Sequence, residues 1–201
     1  MVAPLWLRKK FMALIKRETR HALEGKKAYI KAKMNSLCDK EIIEALYEAS
    51  NAGVQIDLVV RGICCLRAGI PGVSENIRVR SIVGYFLEHS RIFIFCNNGR
   101  EEIYMGSADW MPRNLDKRVE IVFPVLNEDL KEKAAHIIDL ELMDNKGAYV
   151  LGSDGEYTKI KHRGKAEIGS QWMFAREAEA AVKPKRSRKS TRGFTPISSK
   201  E

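Results

Sequence analysis

From Ala28 to Arg61 the chain changes its apolar period twice, and this restricts the fold more than any other feature. Ala28, Ile30, Ala32 and Met34 alternate with Tyr29, Lys31, Lys33 and Asn35, a period of two that gives a strand one small apolar face and one polar face. Asp39 then stands as N-cap to a helix with Ile42, Ile43, Leu46 and Tyr47 on one stripe, and Gly53 ends it. Ile56 to Arg61 follows at once as a second strand. Such a βαβ unit pairs its strands in parallel through a right-handed crossover. The expected architecture is therefore α/β.

Other elements fit around that unit. Leu7, Phe11, Leu14 and Ile15 form the apolar stripe of an amphipathic helix over residues 5–24. Ile77 to Ile82 alternates as a strand with Arg78 and Arg80 on one side, and the strands Arg91–Cys96 and Glu102–Gly106 flank the turn residues Asn97, Asn98 and Gly99. Val119, Ile121 and Phe123 form a further alternating strand closed by Pro124. Asn127 caps a helix with Leu130, Ala134, Ile137 and Ile138 inward, and Glu141, in line with that stripe, marks where the helix ends or turns outward. A hairpin around Ser153, Asp154 and Gly155 and a short helix over 170–182 complete the pattern.

The net charge of +9 is mostly a property of residues 183–201, where seven Lys and Arg face one Glu in a composition that predicts a disordered basic tail. Cations also cluster in the body, from Arg8 to Lys33 and from Arg61 to Arg91, which suits a polyanion partner as well as ordinary solvated faces. No apolar run reaches the roughly 20 residues of a membrane span, so the expected address is cytoplasmic. Cys38, Cys64, Cys65 and Cys96 have neither zinc spacing nor a disulfide framework, and are expected as reduced, mostly buried thiols.

Gly62 to Ser74, rich in Gly and Pro, follows the end of a parallel strand, which is where open α/β sheets place ligand sites. His89 stands at the mouth of the strand Ile92–Phe95, and the small residues of Met105-Gly106-Ser107-Ala108-Asp109 permit close approach of a ligand at the neighbouring strand end. His89, Arg91 and Ser107 are thus candidates to converge.

The spacing H-x-(K/R), hairpin, G-S-x-(N/D) resembles the signature of the phospholipase D-like superfamily, although Cys96 stands where its hydrolases usually carry Asp. A longer stretch is more specific: Val60-Arg61-Gly62-Ile63-Cys64-Cys65-Leu66, Gly72-Val73-Ser74-Glu75-Asn76, Ile77 to Gly84, Phe86-Leu87-Glu88-His89-Ser90-Arg91-Ile92, and Ser107-Ala108-Asp109-Trp110-Met111-Pro112-Arg113-Asn114-Leu115-Asp116. In order and spacing this resembles the last domain of bacterial polyphosphate kinases, most clearly over residues 59–124.

That resemblance implies a phospholipase D-like mixed sheet flanked by helices, with a domain core over residues 1–126, a helix-and-hairpin extension of the same domain over 127–182, and the tail over 183–201. It implies reversible transfer of the terminal phosphoryl group of ATP to inorganic polyphosphate, with Mg²⁺ accompanying ATP, through a phosphohistidine in a preceding domain. The chain is accordingly expected to be one part of a longer enzyme, inactive alone, with the remaining kinase domains as partners and homo-oligomerisation left open. By motif, Arg61 and His89 correspond to ATP-contacting residues, with His89 the catalytic candidate. Lys31, Lys33, Arg78, Arg80, Arg91 and Arg113 either line a polyphosphate channel or are solvated or paired with Glu75, Glu88 and Asp109. Asp109 and Asp116 either hold Mg²⁺ or, in so cationic a neighbourhood, orient arginines; no metal-ligand set is assigned. A phosphodiester hydrolase and a noncatalytic polyanion-binding module are the alternative functions.

Overall fold

The structure, a computed structural model, describes residues 1–161, 164 and 166–182. The tail expected at 183–201 lies outside the described residues. The chain runs α1 (Leu7–Leu23), β1 (Tyr29–Met34), α2 (Lys40–Asn51), β2 (Gln55–Val60), β3 (Ile77–Ile82), β4 (Ile92–Phe95), β5 (Glu102–Gly106), α3 (Pro112–Asp116), β6 (Val122–Pro124), α4 (Glu128–Met143), β7 (Ala148–Leu151), β8 (Tyr157–Lys159) and α5 (Ser170–Ala181). All the strands join one sheet in the order β6-β5-β4-β1-β2-β3-β7-β8. The pairs β1–β2 and β2–β3 are parallel, as the βαβ unit requires, and the remaining pairs are antiparallel. This is the expected mixed α/β sheet.

Alternation along the strands feeds two apolar layers. Ile30, Ala32 and Met34 of β1, Ile56, Leu58 and Val60 of β2, and Phe93 and Phe95 of β4 pack with Leu7, Phe11, Ile15, Ile42 and Leu46 of α1 and α2. On the opposite face, Ile92, Ile94 and Ile103 pack with Ala134 and Ile138 of α4. Asp39 caps α2 by accepting from the Ile42 amide at 3.1 Å, and Asn127 caps α4 by accepting from the Leu130 amide at 3.1 Å.

Two readings of the sequence require correction. The lysine-bearing face of β1 is not open: α4 covers it, and Asp139 and Glu141 of α4 pair with Lys31 and Lys33. The helix does not turn outward at Glu141; it continues to Met143, and Glu141 is fully buried. Near 121 burial alternates along the chain. Val122 is buried, whereas Val119, Ile121 and Phe123 are exposed. The N-terminal segment fixes that phase by pairing with it, with Ala3 N donating to Glu120 O at 2.9 Å and Val122 N to Met1 O at 2.9 Å.

Among the described residues no helix is long and apolar enough to cross a membrane. The cysteines are free, but only Cys96 is buried; Cys65 is exposed and Cys38 and Cys64 are half-buried, so the expectation of mostly buried thiols is corrected.

Candidate functional site

The candidate residues gather at one edge of the sheet because of strand direction. The parallel strands β1, β2 and β3 end there, and β4, antiparallel to β1 with Lys33 opposite Ile92, begins there. Strand β5 returns to the same edge, with Met105 opposite Ile92. Asn35, Arg61, the 83–91 segment and Ser107 to Asp109 are therefore neighbours in space although far apart in the chain. Backbone contacts draw the loops together. Gly62 N donates to Asn35 O at 2.8 Å, and a Cβ at Gly62 would stand 3.0 Å from that oxygen.

His89 and Arg91 form the centre of the arrangement. Arg91 Nη1 lies 3.0 Å from His89 Nδ1 and donates to the His89 carbonyl at 2.9 Å. Arg91 Nε donates to Asp109 Oδ1 at 3.1 Å, and the Asn35 amide donates to the same oxygen at 2.8 Å. Buried Asp109 thus holds the guanidinium that in turn holds the imidazole, leaving the His89 side chain exposed at the edge. Of the two roles read from sequence, orienting an arginine is the one Asp109 occupies.

Arg61, the residue after β2, is anchored only through its backbone: its amide donates to Met34 O at 3.2 Å and its carbonyl accepts from Ser81 Oγ at 3.2 Å. Its exposed guanidinium makes no hydrogen bond or ion pair with any described residue. Ser107 reaches the same edge but is spent elsewhere. Its hydroxyl bonds Glu120 and accepts from the Ile121 amide at 3.2 Å, and it has no hydrogen bond to His89. Gly106 beside it has no room for a side chain, since a Cβ would collide with the Ile121 carbonyl.

The six cations proposed for a polymer channel separate. Lys33 is corrected outright, because its ammonium is buried between Glu88 and Glu141 and no polymer reaches it. Lys31 lies under α4, paired with Asp139 at 2.6 Å. Arg78 is turned across the parallel register onto Asp57, at 2.7 and 2.9 Å. Arg80 is half-buried, bonds the Asp144 carbonyl at 3.5 Å, and has its pKa lowered chiefly by desolvation. Arg91 stays in the site, and Arg113, in the first turn of α3, is exposed without a partner among the described residues.

Beneath His89 lies a buried charge cluster that sequence reasoning missed. Lys33 Nζ bonds both Glu88 and Glu141. Burial, opposed by Lys33 and reinforced by Glu88, pushes the Glu141 carboxyl up to about 8, while for Glu88 desolvation, which raises its pKa, is outweighed by its neighbours, Lys33 and Gln171 among them, and the carboxyl lies below its ordinary value. Gln171 of α5 closes the segment from the side, donating to Glu88 Oε1 at 2.6 Å and Phe86 O at 2.8 Å and accepting from Phe86 N at 2.9 Å. The signal for Glu141 was present: a carboxylate in an inward helical stripe demands a buried cation.

The carboxylates at this edge do not fit a magnesium site of their own. Asp109 is held by Arg91, and Asp116 is gripped with Asp39 by Arg8, whose Nη2 donates to Asp39 Oδ2 at 2.6 Å and Nε to Asp116 Oδ1 at 2.9 Å. The Arg8 bond lowers the Asp116 pKa. Among the described residues no cluster of three His, Cys, Asp or Glu side chains has metal-ligand geometry.

An exposed imidazole, a guanidinium orienting it and a free guanidinium on one strand-end edge are suited to phosphate oxygens: the arginines supply charge and forked donors, and the imidazole a hydrogen bond or a proton. The mixed sheet flanked by helices is a phospholipase D-like α/β fold. NucT from Helicobacter pylori shares the fold, with a TM-score of 0.52 at 14% identity over 71% of this chain and 92% of that one. Within that class the chain belongs to the polyphosphate kinase family: the family described as polyphosphate kinase C-terminal domain 2 matches residues 1–171. It is 54% identical to the polyphosphate kinase of Synechocystis over 181 residues, 90% of this chain and 25% of that protein. It is 57% identical to that of Pseudomonas putida over 157 residues, 78% of this chain and 22% of that protein. The crystal structure of polyphosphate kinase from Porphyromonas gingivalis superposes with a TM-score of 0.86 at 40% identity, covering 90% of this chain and 28% of that one. The chain spans about a quarter of the length of these curated relatives.

Proposed function

We propose that the chain is the C-terminal part of the catalytic core of an enzyme that reversibly transfers the terminal phosphoryl group of ATP to inorganic polyphosphate, and that its strand-end edge contacts both substrates. The observation that carries this reading is the free Arg61 guanidinium on the same edge as the His89–Arg91 pair. In the forward direction ATP and a polyphosphate chain give ADP and a chain longer by one phosphate. Arg61 neutralises phosphate oxygens, and His89 hydrogen-bonds the transferring group or moves a proton through its exposed imidazole. Arg91 fixes the His89 ring, and Arg113 takes the polymer. Phosphoryl transfer is mostly positioning and charge neutralisation, which is what these residue types supply.

Magnesium enters with ATP on its phosphates, and no step here depends on an ion held by this chain. The rest of the catalytic core comes from the remaining kinase domains, in a cytoplasmic enzyme that draws on cellular ATP.

The test is titration of inorganic polyphosphate into the parent chain and an Arg61→Ala, His89→Ala double variant, alongside incubation of the parent with a chromogenic phosphodiester. Loss of two charge-assisted contacts predicts at least about tenfold weaker binding in the variant, and no chromophore is released. Release of chromophore would identify a hydrolase. Binding equal in both proteins that falls steeply with salt would identify a nonspecific polyanion module.

A further inference from the structure

Glu88 immediately precedes His89, so whatever holds its carboxylate restrains the backbone from which the imidazole projects. Lys33 holds it from below, and its other partner is Glu141 of α4; the Lys33 and Glu141 side chains are only 2% and 1% exposed, so neither reaches a ligand. Gln171 holds Glu88 from the side. We propose that Lys33 and Glu141 are positioning residues for His89: they anchor Glu88 beneath the sheet edge and thereby fix the imidazole beside Arg91. This deepens the kinase reading and rests on it for the ligand, not for the geometry.

Charge accounting supports a proton in the anchor. With both carboxyls ionised, the buried cluster carries one net negative charge, and Glu141 Oε2 is buried without a donor. With Glu141 neutral, one ammonium faces one carboxylate, and Lys33 is left to bond the ionised Glu88 and the neutral Glu141. The carboxyl pushed up to about 8 agrees with the neutral form near pH 7. The charged groups acting on Glu141 are Lys33 of β1 and Glu88 of the 83–91 segment. On α4 itself Asp139 is engaged by Lys31, and α5 offers the neutral Gln171. Ionisation of Glu141 sets a second carboxylate against Glu88, which loosens the anchor and brings negative charge under the phosphate-facing edge.

The experiment follows the His89 Cε1 proton by NMR in the 201-residue chain through alkaline pH, in the parent, Glu141→Gln and Lys33→Met, with the signal assigned from a His89→Asn spectrum. In the parent, the His89 signal should show an upper step near pH 8 that is absent in Glu141→Gln, whose amide mimics the neutral acid. Lys33→Met should shift the signal toward that of a solvent-free-standing histidine; if this variant fails to fold, the Glu141→Gln comparison decides alone. An identical His89 profile in parent and Glu141→Gln overturns the proposal. Mg-ATP titrations separate the two readings. Weakening of the parent by about threefold or more between about pH 7 and about pH 9, reduced in Glu141→Gln, supports both. Loss of the upper step without Mg-ATP binding in any variant supports the anchor and counts against the nucleotide site.

Discussion

Burial beneath the sheet lifts the Glu141 carboxyl from an ordinary value of 4.5 to about 8, so the folded chain holds this proton more tightly than the unfolded chain does. The stability from that proton is complete below about pH 4.5 and is lost as the pH rises through about 8. Glu88 runs the other way: its lowered carboxyl contributes stability above its ordinary value that is lost on acidification. Replacing Glu141 by Gln should therefore flatten the fall in melting temperature between about pH 5 and about pH 8, measured by circular dichroism in parent and variant. Parallel profiles would mean that Glu141 is ionised throughout. At this scale the placement of His89 and Arg91 at the mouth of a strand was legible from local pattern, whereas Arg61 was singled out only by its match to the family motif. The setting of Lys31 and Lys33 was not legible, because a period of two says which face a side chain takes but not what covers that face. Only contact with α4, more than a hundred residues away, turns a candidate channel lysine into a buried anchor.

Helix α4 therefore decides how the site is supported, and its start is local. Asn127 accepts from the Leu130 amide, and Glu128 and Asp129 stand in the first turn where the helix dipole favours anions. Asn127→Ala should destabilise the chain by about 1 kcal/mol in urea denaturation while leaving Mg-ATP binding unchanged. An equal loss of binding would show that α4 contributes more directly than as a support. Caps and apolar stripes predicted α1, α2 and α4 closely, since each signal lies within a few residues. The phase of the strand near 121 was not legible because it comes from pairing: β5 on one side and the N-terminal residues on the other leave Val122 inward and its neighbours outward. The bond of Ser107 to Glu120 was hidden for a related reason, since the segment bringing Glu120 to its hydroxyl is set by that same pairing.

For the whole molecule, strand direction does most of the functional work. Parallel β1, β2 and β3 end where antiparallel β4 begins, so loops distant in sequence deliver Asn35, Arg61, His89 and Asp109 to one edge. The βαβ unit made the parallel half legible, whereas the placement of β4 beside β1 rests on long-range pairing that no local pattern encodes. Membership of the polyphosphate kinase family accords with that edge, and the central claim is that Arg61 and His89 meet the phosphates of ATP there. The most direct measurement is calorimetric titration of Mg-ATP into the chain at moderate salt, beside the Arg61→Ala, His89→Ala double variant. The account predicts binding in the parent and at least about tenfold weaker binding in the variant. Equal binding by the two proteins would contradict it.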